Sequence, residues 1–350
     1  MSIRKLFFRF FAVLAVVLAV QWYFTGNASA QRYQPNNLWN GRARLSVDSR
    51  FFGESFGMHF ISTWLEGNTL YTYYIGSNKR RDRDGYEDER RATGLALTTD
   101  GVNFVDQGTV INVGSDGTWD DIMASFPGVW KLTRNRWAVV YEGAGQSPGD
   151  IGLALSPDGR NFTKDANPIL RHAIRQANDP QVDLQWERNN IGTPSLYVVN
   201  GTRYLFYHGF GRSWERGSPD DCQVGVAIGT DLRNMRRYEG NPILTTGPSG
   251  SWDSGTIGKR DIIRGSDGWY YMVYEGSTDQ PYDKAQWSVG LARSRNLLNW
   301  EKFASNPILP QTPSSFGYDG PEWVRTPDGG LHIYFRHPNG QTSRATFVRR

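Results

Sequence analysis

Apolar residues along this chain rarely recur at the i, i+3, i+4, i+7 spacing of a packed helix; they come in short aromatic and β-branched runs between turn residues. Trp137-Ala-Val-Val-Tyr141, Tyr204-Leu-Phe-Tyr207, Trp269-Tyr-Tyr-Met-Val-Tyr274 and Leu331-His-Ile-Tyr-Phe335 are such runs. The last three each follow, or lie beside, a turn signal: Asn200-Gly201, Asp267-Gly268 and Asp328-Gly-Gly330. The pattern predicts strands paired in hairpins.

A second layer of order lies over the first. Gly94-Leu-Ala-Leu-Thr-Thr-Asp100 returns as Gly152-Leu-Ala-Leu-Ser-Pro-Asp158, Gly225-Val-Ala-Ile-Gly-Thr-Asp231 and Gly290-Leu-Ala-Arg-Ser-Arg295, and the last three run on to Asn-Pro-Ile-Leu at 167–170, 241–244 and 306–309. Self-similarity every 60 to 70 residues or so means repeated supersecondary units. Four strands per unit and five units, near 50–112, 118–170, 185–244, 252–309 and 316–350, predict an all-β fold: a five-bladed β-propeller with four-stranded antiparallel blades. It would occupy residues 42–350 as one domain, since no Pro/Ser/Gly-rich linker divides the sequence. Ala43–Val47 is a candidate strand for closing the ring.

The N-terminus carries a cationic head (Arg4, Lys5, Arg9), an apolar run from Phe10 to Val20 and a small-x-small site at Ala28-Ser29-Ala30. Residues 1–30 therefore read as a signal peptide and 31–41 as a flexible segment behind it. Gln21 and Gly26-Asn27 interrupt a full membrane span, so no stable span is expected after cleavage. The expected destination is secreted or periplasmic.

Composition removes other readings. Of 39 basic and 35 acidic residues, three basic ones fall in the export segment, so the pI of 9.1 is largely its property and a nucleic-acid partner loses its electrostatic footprint. Cys222 is the single cysteine, which excludes an intramolecular disulfide framework and a cysteine zinc site. The run from Lys79 to Arg91 is charge-balanced and reads as a solvated hairpin loop able to wall a cleft. Oligomeric state leaves no trace in the sequence.

Candidate chemistry emerges when the units are aligned on the tyrosine that ends each aromatic run. Twenty residues before Tyr74, Tyr141 and Tyr207 stand Glu54, Asp121 and Glu187; the same count from Tyr274 gives Ser254, beside Asp253, and from Phe335 gives Ser315. Matched acids on neighbouring blades would meet in a central funnel, repel one another and hold a proton. Two carboxyl groups flanking a glycosidic bond are the equipment of glycoside hydrolysis.

Trp-Asp-Ser at 252–254, Met-Val-Tyr-Glu-Gly at 272–276, Gly-Leu-Ala-Leu-Ser-Pro-Asp-Gly at 152–159 and the Asn-Pro-Ile-Leu repeats resemble the five-bladed propeller glycosidases, the group of arabinanases, β-xylosidases and invertases. The resemblance spans nearly all of the chain after residue 30. It implies Glu54 as base, Asp121 as the carboxylate tuning the acid, and Glu187 as acid, in an inverting hydrolase of a furanoside or pentose-containing glycan. The chain departs from the family where Glu stands for the usual Asp base, and where Glu187 precedes Arg-Asn-Asn-Ile-Gly-Thr-Pro194 in place of a Glu-Gly-Pro or Glu-Ala-Pro context.

His59, Asp120, His208, Asp253, Lys259, Arg260, Asp319 and Glu322 are candidate sugar contacts near the funnel, although a strand-end salt bridge explains each equally well. Glu142, His208 and Glu275 follow the aromatic runs at matching positions, which points to packing or turns. No cofactor is required; the resemblance allows a calcium ion on the axis, with His332 as its nearest candidate. Two alternatives stand beside hydrolysis. A phosphorylase would hold inorganic phosphate with Lys259, Arg260, His208 and Arg212, and a non-catalytic propeller would only bind glycan.

Overall fold

The computed structural model describes residues 33–81, 87–145, 149–176, 179–180, 183–211, 222–278, 285–309 and 317–350. The expected export segment and Arg212 lie outside the described residues. One helical turn, α1 (Pro35–Trp39), precedes twenty strands. No helix among the described residues is long and apolar enough to cross a membrane.

After β1 (Ala43–Val47), antiparallel meanders succeed one another. The first is β2 (Ser62–Glu66), β3 (Thr69–Arg81), β4 (Glu87–Thr98) and β5 (Val105–Ile111); the second is β6 (Met123–Thr133), β7 (Arg136–Ala144), β8 (Asp150–Ser156) and β9 (Thr163–Lys164). Next come β10 (Asn190–Val199), β11 (Thr202–Phe210), β12 (Cys222–Gly229) and β13 (Arg236–Arg237), and then β14 (Thr256–Arg264), β15 (Tyr270–Ser277), β16 (Trp287–Ser294) and β17 (Glu301–Lys302). The chain closes with β18 (Asp319–Arg325), β19 (Leu331–Arg336) and β20 (Thr342–Arg349), to which β1 adds the outer strand, Ala43 opposite Arg349.

Single parallel pairs, Arg91 with Met123 and Cys222 with Thr256, join the first four meanders two by two. The result is two eight-stranded sheets and one of four strands. The charge-rich run from Lys79 lies on the hairpin between β3 and β4, whose ladder extends out to the pair Arg81–Glu87.

The repeated glycines have a steric origin. Gly94, Gly152, Gly225 and Gly290 lie directly across the ladder from Tyr74, Tyr141, Tyr207 and Tyr274. A Cβ on Gly94 would stand 2.3 Å from the Tyr74 ring, and one on Gly152 would stand 2.2 Å from that of Tyr141. The tyrosine lies flat over its partner, and only glycine leaves the room. The Ser/Thr-x-Asp/Asn that follows is turn chemistry: Asp100 Oδ1 accepts from Val102 and Asn103 N–H, Asp158 Oδ1 from Arg160 and Asn161, and Asn296 Oδ1 from Leu298 and Asn299.

The leading strands of the meanders gather together. β2 packs beside β6, β6 beside β10, β10 beside β14, β14 beside β18, and β18 beside β2. Polar contacts follow the same cycle. Val129 N–H donates to Ser62 Oγ at 3.1 Å, Thr193 N–H to Glu142 at 2.8 Å, Arg260 to Thr193 Oγ1, Lys259 Nζ to Glu322 at 2.9 Å, and Thr63 N–H to Glu322 at 2.9 Å. Apolar clusters fill the spaces between successive meanders: one around Val140, Ile191 and Leu205, another around Val226, Ile257 and Met272.

The segment expected to be flexible, 31–41, is pinned from Pro35 onward. Leu38 is buried, the Trp39 ring centroid lies 5.0 Å from that of Phe303, and the Arg293 guanidinium sits 4.1 Å over Trp39.

Candidate functional site

Four of the five leading strands are bent near their starts, and the fifth follows a left-handed residue. β6, β10, β14 and β18 carry bulges at 125/128, 192/195, 257/260 and 319/322, and Phe60, Phe126, Thr193 and Gly320 take φ of 46°, 50°, 39° and 59°. Left-handed backbone at non-glycine residues costs of order 1 to 3 kcal/mol apiece and collects where side chains must be re-aimed. Here it turns Phe60 against Phe126, ring centroids 5.2 Å apart, and Arg336 lies 4.8 Å over Phe60.

Around this aromatic floor stands a polar ring. His59 Nδ1 meets Gly57 O at 2.6 Å; a carbonyl only accepts, so Nδ1 carries the proton and Nε2 presents a lone pair. Burial lowers the pKa of His59, which keeps it neutral. Asp319, buried, accepts from Arg336 at both oxygens. Glu142 is buried beside Gly192, accepts from Thr193 N–H and lies within the fields of Arg91 and Arg260; burial pushes its carboxyl up to about 7. Glu275 has the equivalent place one sheet on, accepts from Lys259 and Gly320 N–H, and is also pushed up to about 7 by burial.

Other ring members are spoken for. His208 Nδ1 meets Thr193 Oγ1 at 2.8 Å, its Nε2 lies 3.3 Å from Asn190, and burial drives its pKa well down. Arg260 bonds Gly258 O and Thr193, and Lys259 bonds Glu322 and Pro321 O. Of the described members of the expected phosphate cluster, Lys259 and Arg260 are thus engaged in joining strands and His208 is neutral.

The expected catalytic register is corrected. Tyr207 Oη donates to Glu187 at 2.8 Å, and Arg237 and Asp179 complete an ion cluster in which Glu187 and Arg237 side chains are 0% exposed. The structural counterparts of Glu187 are Asp120, which accepts from Tyr141 Oη (3.0 Å) and Lys164 (2.6 Å), and Asp253, which accepts from Tyr274 Oη (3.4 Å) and Lys302 (2.6 Å). In each case a tryptophan, 119, 186 or 252, lies against the tyrosine at 5.6 to 5.9 Å between ring centroids. These acids tie the second strand of a meander to its short outer strand. Asp120, Glu187 and Asp253 are therefore fastenings, not sugar contacts or an acid catalyst.

Glu54 and Asp121 fall outside that register. Loop lengths differ between repeats, so a fixed count of twenty cannot align them. In the first meander Phe56 takes the tryptophan's place at 5.3 Å from Tyr74, and the carboxylate comes from the outer strand, Asp106, at 2.6 Å from Tyr74 Oη. Glu54 is exposed and bonded to Gln341, at the junction with the β19–β20 turn. Asp121 is buried behind β6, one oxygen on Gly117 N–H. His332 is likewise off the leading strands: it sits on β19, its Nδ1 3.2 Å from Thr346 Oγ1 on β20, and no cluster of metal-ligating side chains occurs among the described residues. A calcium ion held through His332 on the axis does not fit these residues.

Of the expected contacts, His59, His208, Lys259, Arg260, Asp319 and Glu322 do belong to the polar ring. Phe60, Phe126 and Arg336 were not anticipated; no sequence signal marks a left-handed phenylalanine.

No family model matches the chain, and no curated protein does. Solved structures do. A glycoside hydrolase, 17% identical, has a TM-score of 0.67 over 90% of this chain and 94% of its own; the endo-arabinase of Bacteroides thetaiotaomicron, 14% identical, has 0.58 over 88% and 97%. The β-1,2-mannobiose phosphorylase of Listeria innocua, 12% identical, has 0.60 over 91% and 97%. The chain shares the fold of these glycosidase-type proteins.

Proposed function

We propose that the chain is a five-bladed β-propeller working as an exported glycoside hydrolase, secreted or periplasmic, on a furanoside or pentose-containing glycan. The closed cycle of leading strands and the meander closed by β1 support the five blades. One observation carries the catalytic reading: around the guanidinium of Arg91 stand a carboxyl that holds its proton to about pH 7, Glu142, and a neutral imidazole with a lone pair to give, His59.

In this reading Glu142 protonates the leaving glycosidic oxygen and His59 Nε2 takes a proton from the attacking water on the other face, which inverts the anomeric centre. Phe60 and Phe126 give the sugar a flat apolar floor, and the Arg336–Asp319 pair borders His59. The side chain of Arg91 is exposed and makes no hydrogen bond or ion pair among the described residues, its backbone N–H being bonded to Ile122 O, so the guanidinium can meet substrate hydroxyls.

Release of reducing ends from arabinan and arabinoxylan, with the anomer of the first product followed by NMR, tests this. Glu142→Gln and His59→Asn are expected to lose on the order of 10²-fold or more in kcat while remaining folded by circular dichroism. Full activity in both variants, or turnover only with inorganic phosphate, overturns the assignment.

A further inference from the structure

The leading strands also enclose a space that the proposed chemistry does not use. Beyond the bulges, toward the tight hairpin turns, lies a cavity of about 270 Å³ to which β2, β6, β10, β14 and β18 all contribute. Its walls include Trp64, Trp130, Tyr197 and Trp323, with Asp261 and Ser195 among them. Trp130 stands edge-on to Trp64 at 5.3 Å and to Tyr197 at 5.1 Å, so the three rings form a continuous curved wall.

The indole N–H groups of Trp64 and Trp323 are taken up by Glu66 and Tyr271 O, at 3.4 and 3.1 Å, which leaves the rings to act through their faces and edges. Trp64, Trp130, Tyr197 and Asp261 are all partly exposed. Ser62, Thr63, Ser195, Asp261, Glu322 and Arg325 make part of the lining polar. Asp261 accepts from Trp323 N–H through one oxygen, and Ser195 Oγ is buried with no hydrogen-bond partner among the described residues. A buried hydroxyl without a partner is costly unless water or a ligand meets it.

We propose that this cavity is a second carbohydrate subsite, which takes a single neutral sugar residue at the end of the axis opposite His59. Aromatic walls cover the C–H face of a sugar ring, while Asp261 and Ser195 meet its hydroxyls. Burial and the neighbouring Glu322 raise the pKa of Asp261, which favours its protonated form, and Lys259 pairs with Glu322, so the acidic side of the wall carries little net charge. Ligand pockets begin at about 300 Å³, so the space suits one ring and not a chain. The walls stand independently of the catalytic assignment; only the choice of sugar over other neutral polyols rests on the proposed function.

Saturation-transfer NMR with arabinose, xylose and galactose, backed by tryptophan fluorescence, tests the subsite on the intact chain. Saturable binding at millimolar concentration is expected for the native chain and for His59→Asn alike. It should weaken at least tenfold in Asp261→Leu and in the cavity-filling Ser195→Leu, and either variant alone suffices if the other fails to fold. Absence of saturable binding by the native chain overturns the subsite, as does binding that survives both cavity substitutions. Sugar binding lost in the cavity variants of a chain that hydrolyses nothing would sink the hydrolase reading and keep the subsite.

Discussion

Tyr207 donates its phenolic proton to Oε2 of Glu187 at 2.8 Å, and this one bond joins the two landmarks on which the sequence alignment was built. The carboxylate is counted from the correct tyrosine, but it faces into a sheet. Arg237, which bonds Glu187 at 2.6 Å and Asp179 at 2.6 Å, holds the cluster together. Burial alone would lower the Arg237 pKa, yet Tyr207, Glu187 and Asp179 together raise it.

Arg237→Ala should leave two carboxyl groups buried without their cation, and it is expected to cost about 3 to 5 kcal/mol in urea unfolding. Where the variant is still folded, its kcat should match the native value. A selective fall in kcat with unchanged stability would restore Glu187 to the chemistry.

Gly152→Ala should be more damaging than its size suggests. Its Cβ would stand 2.2 Å from the Tyr141 ring, so overpacking of about 1 to 3 kcal/mol is expected. Gly201→Ser, on a hairpin tip with nothing within 4 Å, serves as the comparison, and its φ of 80° limits its cost to backbone strain. Thermal melts of the two variants rank the effects.

Stability should fall as pH rises toward neutrality. Glu142 and Glu275 titrate at about 7 in the folded chain but near 4.3 when unfolded, so across that window the folded state keeps protons that the unfolded state releases. Their contribution is full below the unfolded value and lost as pH climbs through the folded one, with an upper bound of about 4 kcal/mol per group. His208, held neutral, opposes this below the ordinary histidine value because there the unfolded chain binds the extra proton. Urea midpoints at several pH values should show a smaller decline toward neutrality in Glu142→Gln and Glu275→Gln than in the native chain.

The rate profile carries its own signature. Loss of the Glu142 proton sets an alkaline limb in kcat/KM near pH 7, and protonation of His59 sets an acid limb below the ordinary histidine value. Residual activity in Glu142→Gln should lack the alkaline limb, which pH-dependent initial rates would reveal.

Much of the fold was legible because steric needs repeat. Each tyrosine over its glycine, each Ser-x-Asp turn and each Asn-Pro-Ile-Leu recurs in the letters since the same local geometry recurs in space. The site was less so. Asp120, Glu187 and Asp253 share a role through contact with Tyr141, Tyr207 and Tyr274, but loops of unequal length shift them from any fixed count. Phe60 and Phe126 reach the polar ring through left-handed backbone that no residue pattern announces. Glu142 looked like packing, and in part it is, since the N–H of Thr193 rests on it.

The pairing of β1 with β20 carries a consequence for how the chain comes into being. Residues 43–47 present a bare strand margin until residues 342–349 exist to cover it, so the ring can be latched only after nearly everything between has been made. A nascent polypeptide with an unsatisfied β-margin invites association with its neighbours. Passage across a membrane in an unfolded state would postpone that hazard until the covering partner arrives with it.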